Sequence, residues 1–121
     1  EFDESNSTAS CMLAGILNDG NSAEAISYYD KSIKANHDYY LAYRGLGNYF
    51  LKKRNYSEAE KYYTKAIEID QYRFAPIYKN RGLVRLEQKK IQDAKEDFNT
   101  YLKQMPDAPD RESIKQAMDQ L

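Results

Sequence analysis

Large and small side chains return three times along this chain at a fixed interval, and a chain built that way has few ways to fold. Ala25-x3-Tyr29 recurs as Ala59-x3-Tyr63, 34 residues on, and again as Ala94-x3-Phe98 after a further 35. Ahead of the second and third pairs, Tyr43-x2-Leu46-Gly47 is matched by Tyr78-x2-Arg81-Gly82. A period of this length marks one supersecondary unit used repeatedly. Each unit leaves an apolar face that only a stacked neighbour can cover.

Within the units the spacing is helical. Tyr43, Leu46, Tyr49 and Phe50 follow steps of three and four, as do Ala59, Tyr62, Tyr63, Ala66, Ile67 and Ile69. Short polar breaks separate the runs at Asn18-Asp19-Gly20-Asn21, Lys52-Lys53-Arg54-Asn55 and Gln88-Lys89-Lys90. The pattern predicts seven helices, over 8–18, 23–35, 40–53, 58–69, 75–88, 92–104 and 111–120. Asn21-x-x-Glu24 and Ser57-x-x-Glu60 have the spacing of a reciprocal N-terminal cap. Pro106 and Pro109 break the chain before a last helix that Asp110 can cap. With only 5 Gly and 3 Pro in 121 residues, the chain lacks the turn-formers of a sandwich or barrel.

Written out, the second unit reads Tyr43-x2-Leu46-Gly47-x2-Phe50-x8-Ala59-x3-Tyr63-x2-Ala66. This resembles the tetratricopeptide repeat (TPR), a helix–turn–helix unit of 34 residues. The resemblance implies an all-α fold: a right-handed α-solenoid of three units closed by a C-terminal capping helix. It implies a polar lead-in over 1–5 and one domain over 6–121. The repeats fall at about 6–39, 40–74 and 75–108, with the capping helix at about 110–121. Gly47 and Gly82 lie mid-helix, where glycine costs about 1 kcal/mol against alanine. The expected reason is close approach of the unit's own second helix at Ala59 or Ala94, with Tyr63 and Phe98 filling the space between units. The chain also departs from the pattern. Unit one has Leu13 at the glycine position, Ala9 at the large aromatic position and Ser32 at a small Ala position. Unit three has Arg85 where an aromatic is usual and Tyr101 where Ala is usual. Its extra residue is expected within 69–74.

Catalytic chemistry finds little to work with. There is one Cys, Cys11, in the first helix, and one His, His37, in the loop after the second, so neither a Cys/His zinc site nor a disulfide framework can form within the chain. Gly45-Leu46-Gly47 lacks the rest of any phosphate-loop fingerprint. The expectation is a non-enzyme without cofactor or metal. The formal net charge of −1 argues against a nucleic-acid partner, and no apolar run reaches the ~20 residues of a membrane span. No targeting segment is visible, which leaves the compartment open between cytoplasm and bacterial periplasm. Of the 12 tyrosines, Tyr29, Tyr43, Tyr49, Tyr63 and Tyr78 fall on packing positions. Tyr28 and Tyr62 are the candidates for contacts on the outer surface. Lys52-Lys53-Arg54 and Lys89-Lys90 stand at equivalent helix ends, where cations complement the helix dipole.

The resemblance further implies that the first helix of each unit lines a concave groove. The positions are Ser7, Ser10, Ala14 and Leu17 in unit one; Leu41, Arg44, Asn48, Leu51 and Lys52 in unit two; and Lys79, Asn80, Leu83, Leu86 and Glu87 in unit three. The candidate partner-binding residues among them are Arg44, Asn48, Leu51, Lys79, Asn80, Leu83 and Leu86. Arg44 and Asn48 are four apart and share one helix face. Some TPR co-chaperones clamp a chain-terminal carboxylate between cations and asparagines. Here Ser10, Ala14, Gly45, Pro76 and Asn80 occupy the standard clamp positions, so that set is absent. Sliding the match one unit along gives Arg44, Asn48 and Asn80, with Arg111 and Lys115 beyond. The expected function is a protein–protein interaction module, an adaptor or assembly factor. It would hold a partner peptide or protein segment bearing an acidic group or chain end beside apolar side chains. The alternative is a structural assembly component, as in a bacterial secretion or pilus system, using its convex face or its ends. The oligomeric state stays open.

Overall fold

The polar breaks at 52–55 and 88–90 are where helices stop. A computed structural model of the chain describes residues 11–15, 23–69 and 75–121. Residues 11–15 are helical (α1). Six helices follow: α2 (Glu24–Ala35), α3 (Tyr40–Lys52), α4 (Tyr56–Ile69), α5 (Pro76–Glu87), α6 (Ile91–Gln104) and α7 (Arg111–Asp119). Every predicted boundary from α2 onward lies within two residues of these. The ends of α1 and the extra residue of the third unit lie outside the described residues. Among the described residues there is no strand, and α2 through α7 pack in chain order, each on the next. The result is a right-handed α-solenoid of three hairpins with α7 laid against the last.

The hairpin turns of repeats two and three end their first helix in the same way. The Arg54 and Asn55 amides donate to the carbonyls of Leu51 (3.0 Å) and Phe50 (2.9 Å). In the third unit the Lys89 and Lys90 amides donate to Leu86 and Arg85, both at 2.9 Å. This double closure needs a left-handed residue, and here it falls on Arg54 (φ 60°) and Lys89 (φ 65°) rather than on glycine. The basic residues at these helix ends therefore do more than face the dipole. Two expected caps do not form. α4 begins at Tyr56, so Ser57 lies within its first turn and reaches only Asn55 Oδ1, at 3.5 Å, while Glu60 turns toward the third repeat. Asp110 precedes α7, but its carboxylate makes no cap bond. Asn21 lies outside the described residues. Pro76 opens α5, where its missing N–H costs nothing.

The glycines mark close approaches, with a different partner from the one expected. A methyl group on Gly47 would stand 2.6 Å from the Tyr63 ring, and one on Gly82 would stand 2.8 Å from the Phe98 ring. These rings press on the glycine of their own unit, and Tyr63, as expected, also shares a buried cluster with Ala75, Ile77 and Tyr78 of the next. Ala59 and Ala94 are fully buried, but the atoms nearest the two glycines belong to the rings. Between repeats one and two the close approach falls on Gly45, where an added methyl group would run into the ring of Tyr29. The unusual residues also find places. Ser32 is fully buried, and Tyr101 is buried with its hydroxyl donating to Asp110 Oδ1 at 2.8 Å. Leu13, at the glycine position of unit one, is 48% exposed.

Candidate functional site

Helical periodicity brings Leu41, Arg44, Asn48 and Leu51 onto one face of α3. With Gly45 and Lys52 they line a cavity of about 570 Å³, closed by Cys11, Met12 and Gly15 of α1 and by Tyr29 of α2. All five groove positions read for unit two are there. Of those read for unit one, Ala14 is not there: it is fully buried, and Cys11, Met12 and Gly15 form that wall. Ser7, Ser10 and Leu17 lie outside the described residues. Among the described residues, no carboxylate lines this cavity, whereas Arg44 and Lys52 do.

Two groups stay protonated here, one behind Asn48 and one in the cavity wall. Tyr63 is fully buried, and its hydroxyl donates to Asn48 Oδ1 at 2.5 Å. Burial pushes the Tyr63 phenol far above its ordinary range, against the opposing charge of Arg44. Burial also pushes the Cys11 thiol up, again against Arg44. Tyr63 is thus a hydrogen-bond donor at any physiological pH, and Cys11 is a thiol rather than a nucleophilic thiolate.

Repeat three uses its cation differently. Lys79 Nζ lies 2.8 Å from Asp110 Oδ2 and 5.3 Å from the centre of the Tyr101 ring. The ammonium holds the Asp110 carboxyl below its usual range. Lys79, Asp110 and Tyr101 together fasten the start of α7. Asn80 and Leu86 are half-buried, and Leu83 is 42% exposed; none of them lines the α3 cavity. Arg111 Nη1 reaches the Leu102 carbonyl at 3.4 Å, and Lys115 is exposed on α7. Of the shifted clamp, only Arg44 and Asn48 share a site.

Sequence reasoning missed an ionic network beside the groove helices. Asp97 takes Arg81 through both oxygens, at 2.7 and 2.9 Å, and Arg85 at 3.0 Å. Arg85 also reaches Glu60 of α4 at 2.9 Å, where Gln88 and Lys90 converge on the other oxygen at 2.8 Å. The signal for it was Arg85 at an aromatic position. A second hollow of about 570 Å³ runs along α4, lined by Tyr43, Lys61, Tyr62, Lys65 and Glu68 among others. Tyr62 is less available for outer contacts than expected. It is half-buried, stacked on Phe50, and carries Lys61 over its ring. Tyr28 is half-buried beneath Lys31. Among the described residues no three His, Cys, Asp or Glu side chains gather as a metal site, and no helix is long and apolar enough to cross a membrane.

A family profile described as the tetratricopeptide repeat matches residues 17–76. No curated protein matches the chain. Several solved structures share its fold. The TPR domain of Arabidopsis OM64 is 22% identical over 97% of both chains, with a TM-score of 0.88. The second TPR of Spaghetti (RPAP3), solved with the HSP90 peptide SRMEEVD, is 29% identical over 82% of this chain and 92% of that one, with a TM-score of 0.75. The second TPR domain of human RPAP3, solved with the HSP70 peptide SGPTIEEVD, is 25% identical over 93% and 98%, with a TM-score of 0.77. The fold they share is a protein-interaction fold. The profile spans the second unit and the likeness to the solved domains spans the stack as a whole: this chain belongs to the tetratricopeptide repeat family.

Proposed function

We propose that this protein is a non-catalytic adaptor or assembly factor that holds a peptide segment of a partner protein in the groove along α3. The observation that carries this reading is the cavity itself. Two cationic side chains, Arg44 and Lys52, line it together with the Asn48 amide, beside Leu41 and Leu51. Cations and an amide suit a carboxylate, because charge-assisted hydrogen bonds are stronger than neutral ones. The leucines offer apolar contact next to it. The RPAP3 domains support the reading, since both peptides solved with them end in the acidic sequence EEVD. The partner segment is therefore one with an acidic group or chain end next to apolar side chains. A longer segment would continue over α5 past Asn80, Leu83 and Leu86, and would compete with Asp110 for Lys79.

The test is a titration with an acidic-ended peptide such as SRMEEVD. Arg44→Ala with Lys52→Ala should weaken binding at least several-fold at unchanged helical content. Added salt should weaken the wild-type complex, because exposed charges are screened over about 8 Å at physiological ionic strength. The comparison variant is Lys61→Ala with Lys65→Ala, in the hollow along α4. If that variant loses the partner and the groove variant keeps it, the outer face is the binding surface and the assembly-component reading replaces this one.

A further inference from the structure

Asn48 lines the groove beside Arg44, and a carboxamide has two unlike ends. One end is settled by the core. The Tyr63 hydroxyl donates to Oδ1 at 2.5 Å, and nothing among the described residues accepts from Nδ2. The donor is itself held in place. The Tyr63 ring has no exposed surface and lies against Gly47, with no room for a methyl group between them. Repeat three shows the same positions without this device. Thirty-five residues on, Tyr63 becomes Phe98 and Asn48 becomes Leu83, so hydroxyl and amide are lost together. Repeat one keeps a tyrosine, Tyr29, opposite Ala14, and that ring is used against Gly45 of the next helix.

We infer that Tyr63 is a positioning residue for the groove: its hydroxyl occupies the Asn48 oxygen from the core side, turns the amide nitrogen toward the cavity, and so makes Asn48 a hydrogen-bond donor to a carboxylate of the bound segment. This rests on the groove reading above. Arg44 lies one helical turn before Asn48 and lines the same cavity, so both supply donors to one acceptor. Without the hydroxyl the carboxamide is free to rotate half a turn and present its oxygen to an anion. The opposite arrangement, with Nδ2 donating to the Tyr63 oxygen, would aim the amide oxygen at the partner and select a donor instead.

The experiment combines side-chain amide spectra of the free, ¹⁵N-labelled protein with titration by SRMEEVD. Tyr63→Phe should keep the fold, because Phe98 serves at the same place in repeat three. It should shift the two Asn48 Nδ2 proton signals and weaken the peptide by about five- to tenfold, the worth of one hydrogen bond. In an Asn48→Leu background, Tyr63→Phe should leave affinity where it was. Asn48→Asp keeps an oxygen for Tyr63 but turns a charge toward the groove, and should bind more weakly than Asn48→Leu. Asn48 signals that are identical in wild type and Tyr63→Phe overturn the inference with no peptide needed. So do altered signals with unchanged affinity, or an Asn48→Asp variant that binds like wild type. A wild-type chain that leaves the peptide free overturns the groove reading and the carboxylate assignment with it. The peptide-free spectra tell the two failures apart.

Discussion

In repeat two, Leu46 is buried in a cluster against which Phe50 and Tyr62 pack, and those two rings stack across α3 and α4 with centroids 5.6 Å apart and planes 5° from parallel. In repeat three the same three positions, 35 residues on, hold Arg81, Arg85 and Asp97. There the hairpin is joined by two arginines on one carboxylate that is only 3% exposed, and it is tied back to repeat two through Glu60 and Thr64. The backbone hardly registers the exchange: both units keep a glycine under an aromatic ring and a left-handed residue at the turn. The two chemistries fail differently, however. An aromatic seam loses contact area when one member goes. An ionic seam that loses one member leaves charges buried without compensation.

The largest effect should therefore come from Asp97→Ala, at about 3–5 kcal/mol in denaturant unfolding, because Arg81 and Arg85 are left facing each other. Moving the seam of repeat two into repeat three, as Arg81→Leu with Arg85→Phe and Asp97→Tyr, should be neutral or stabilising by about 1–4 kcal/mol. A transplant that unfolds the protein would show that the two seams are not interchangeable. Next in size is the contact both repeats share. Gly47→Leu should cost about 1–3 kcal/mol or more through overpacking against Tyr63, and Gly82→Leu should cost somewhat less at its looser contact. Equal melting of wild type and Gly47→Leu would remove the close-packing role.

A smaller effect, confined to the ionic seam, appears with acid. Burial pushes the Glu60 carboxyl up, but hydrogen bonds from Lys90, Arg85 and Gln88 outweigh it and bring it to about 2. The folded value lies below the unfolded one of about 4.3, so the contribution is complete above that pH and is lost as pH falls toward about 2. Glu60→Gln should flatten stability against pH across that window. An unchanged acid slope would mean that Glu60 is not what the acid titrates. Smallest is the turn. Lys89→Gly and Arg54→Gly should each stabilise by up to about 1 kcal/mol by relieving the left-handed backbone, and by similar amounts in the two repeats. Thermal melts of the two variants side by side measure it.

What the sequence made legible follows from range. Helices, turns and the glycine positions are local or periodic, and the α3 face with Arg44, Asn48 and Leu51 followed from the resemblance to the repeat, whose groove positions in unit two lie on a single helix. The role of Lys79 was hidden because its partner, Asp110, is 31 residues away on an element outside the repeat. Arg85 stood out as a departure, but its compensation needed Asp97 and Glu60, which lie on two different helices. In unit one the motif is too worn to fix the register, and Ala14 was placed on the groove wall when it is in the core. Gly45 figures in the sequence as a phosphate-loop candidate and a clamp position but not as a packing contact, because a contact between repeats has no signature inside one of them.

The most direct test of the groove as the binding surface is an amide shift map of the ¹⁵N-labelled chain titrated with SRMEEVD. The account predicts the largest movements at Arg44, Gly45, Asn48 and Leu51 on α3, with Lys61, Lys65 and Glu68 on α4 unmoved. Movements along α4 with α3 silent, or no movement anywhere at saturating peptide, would contradict it.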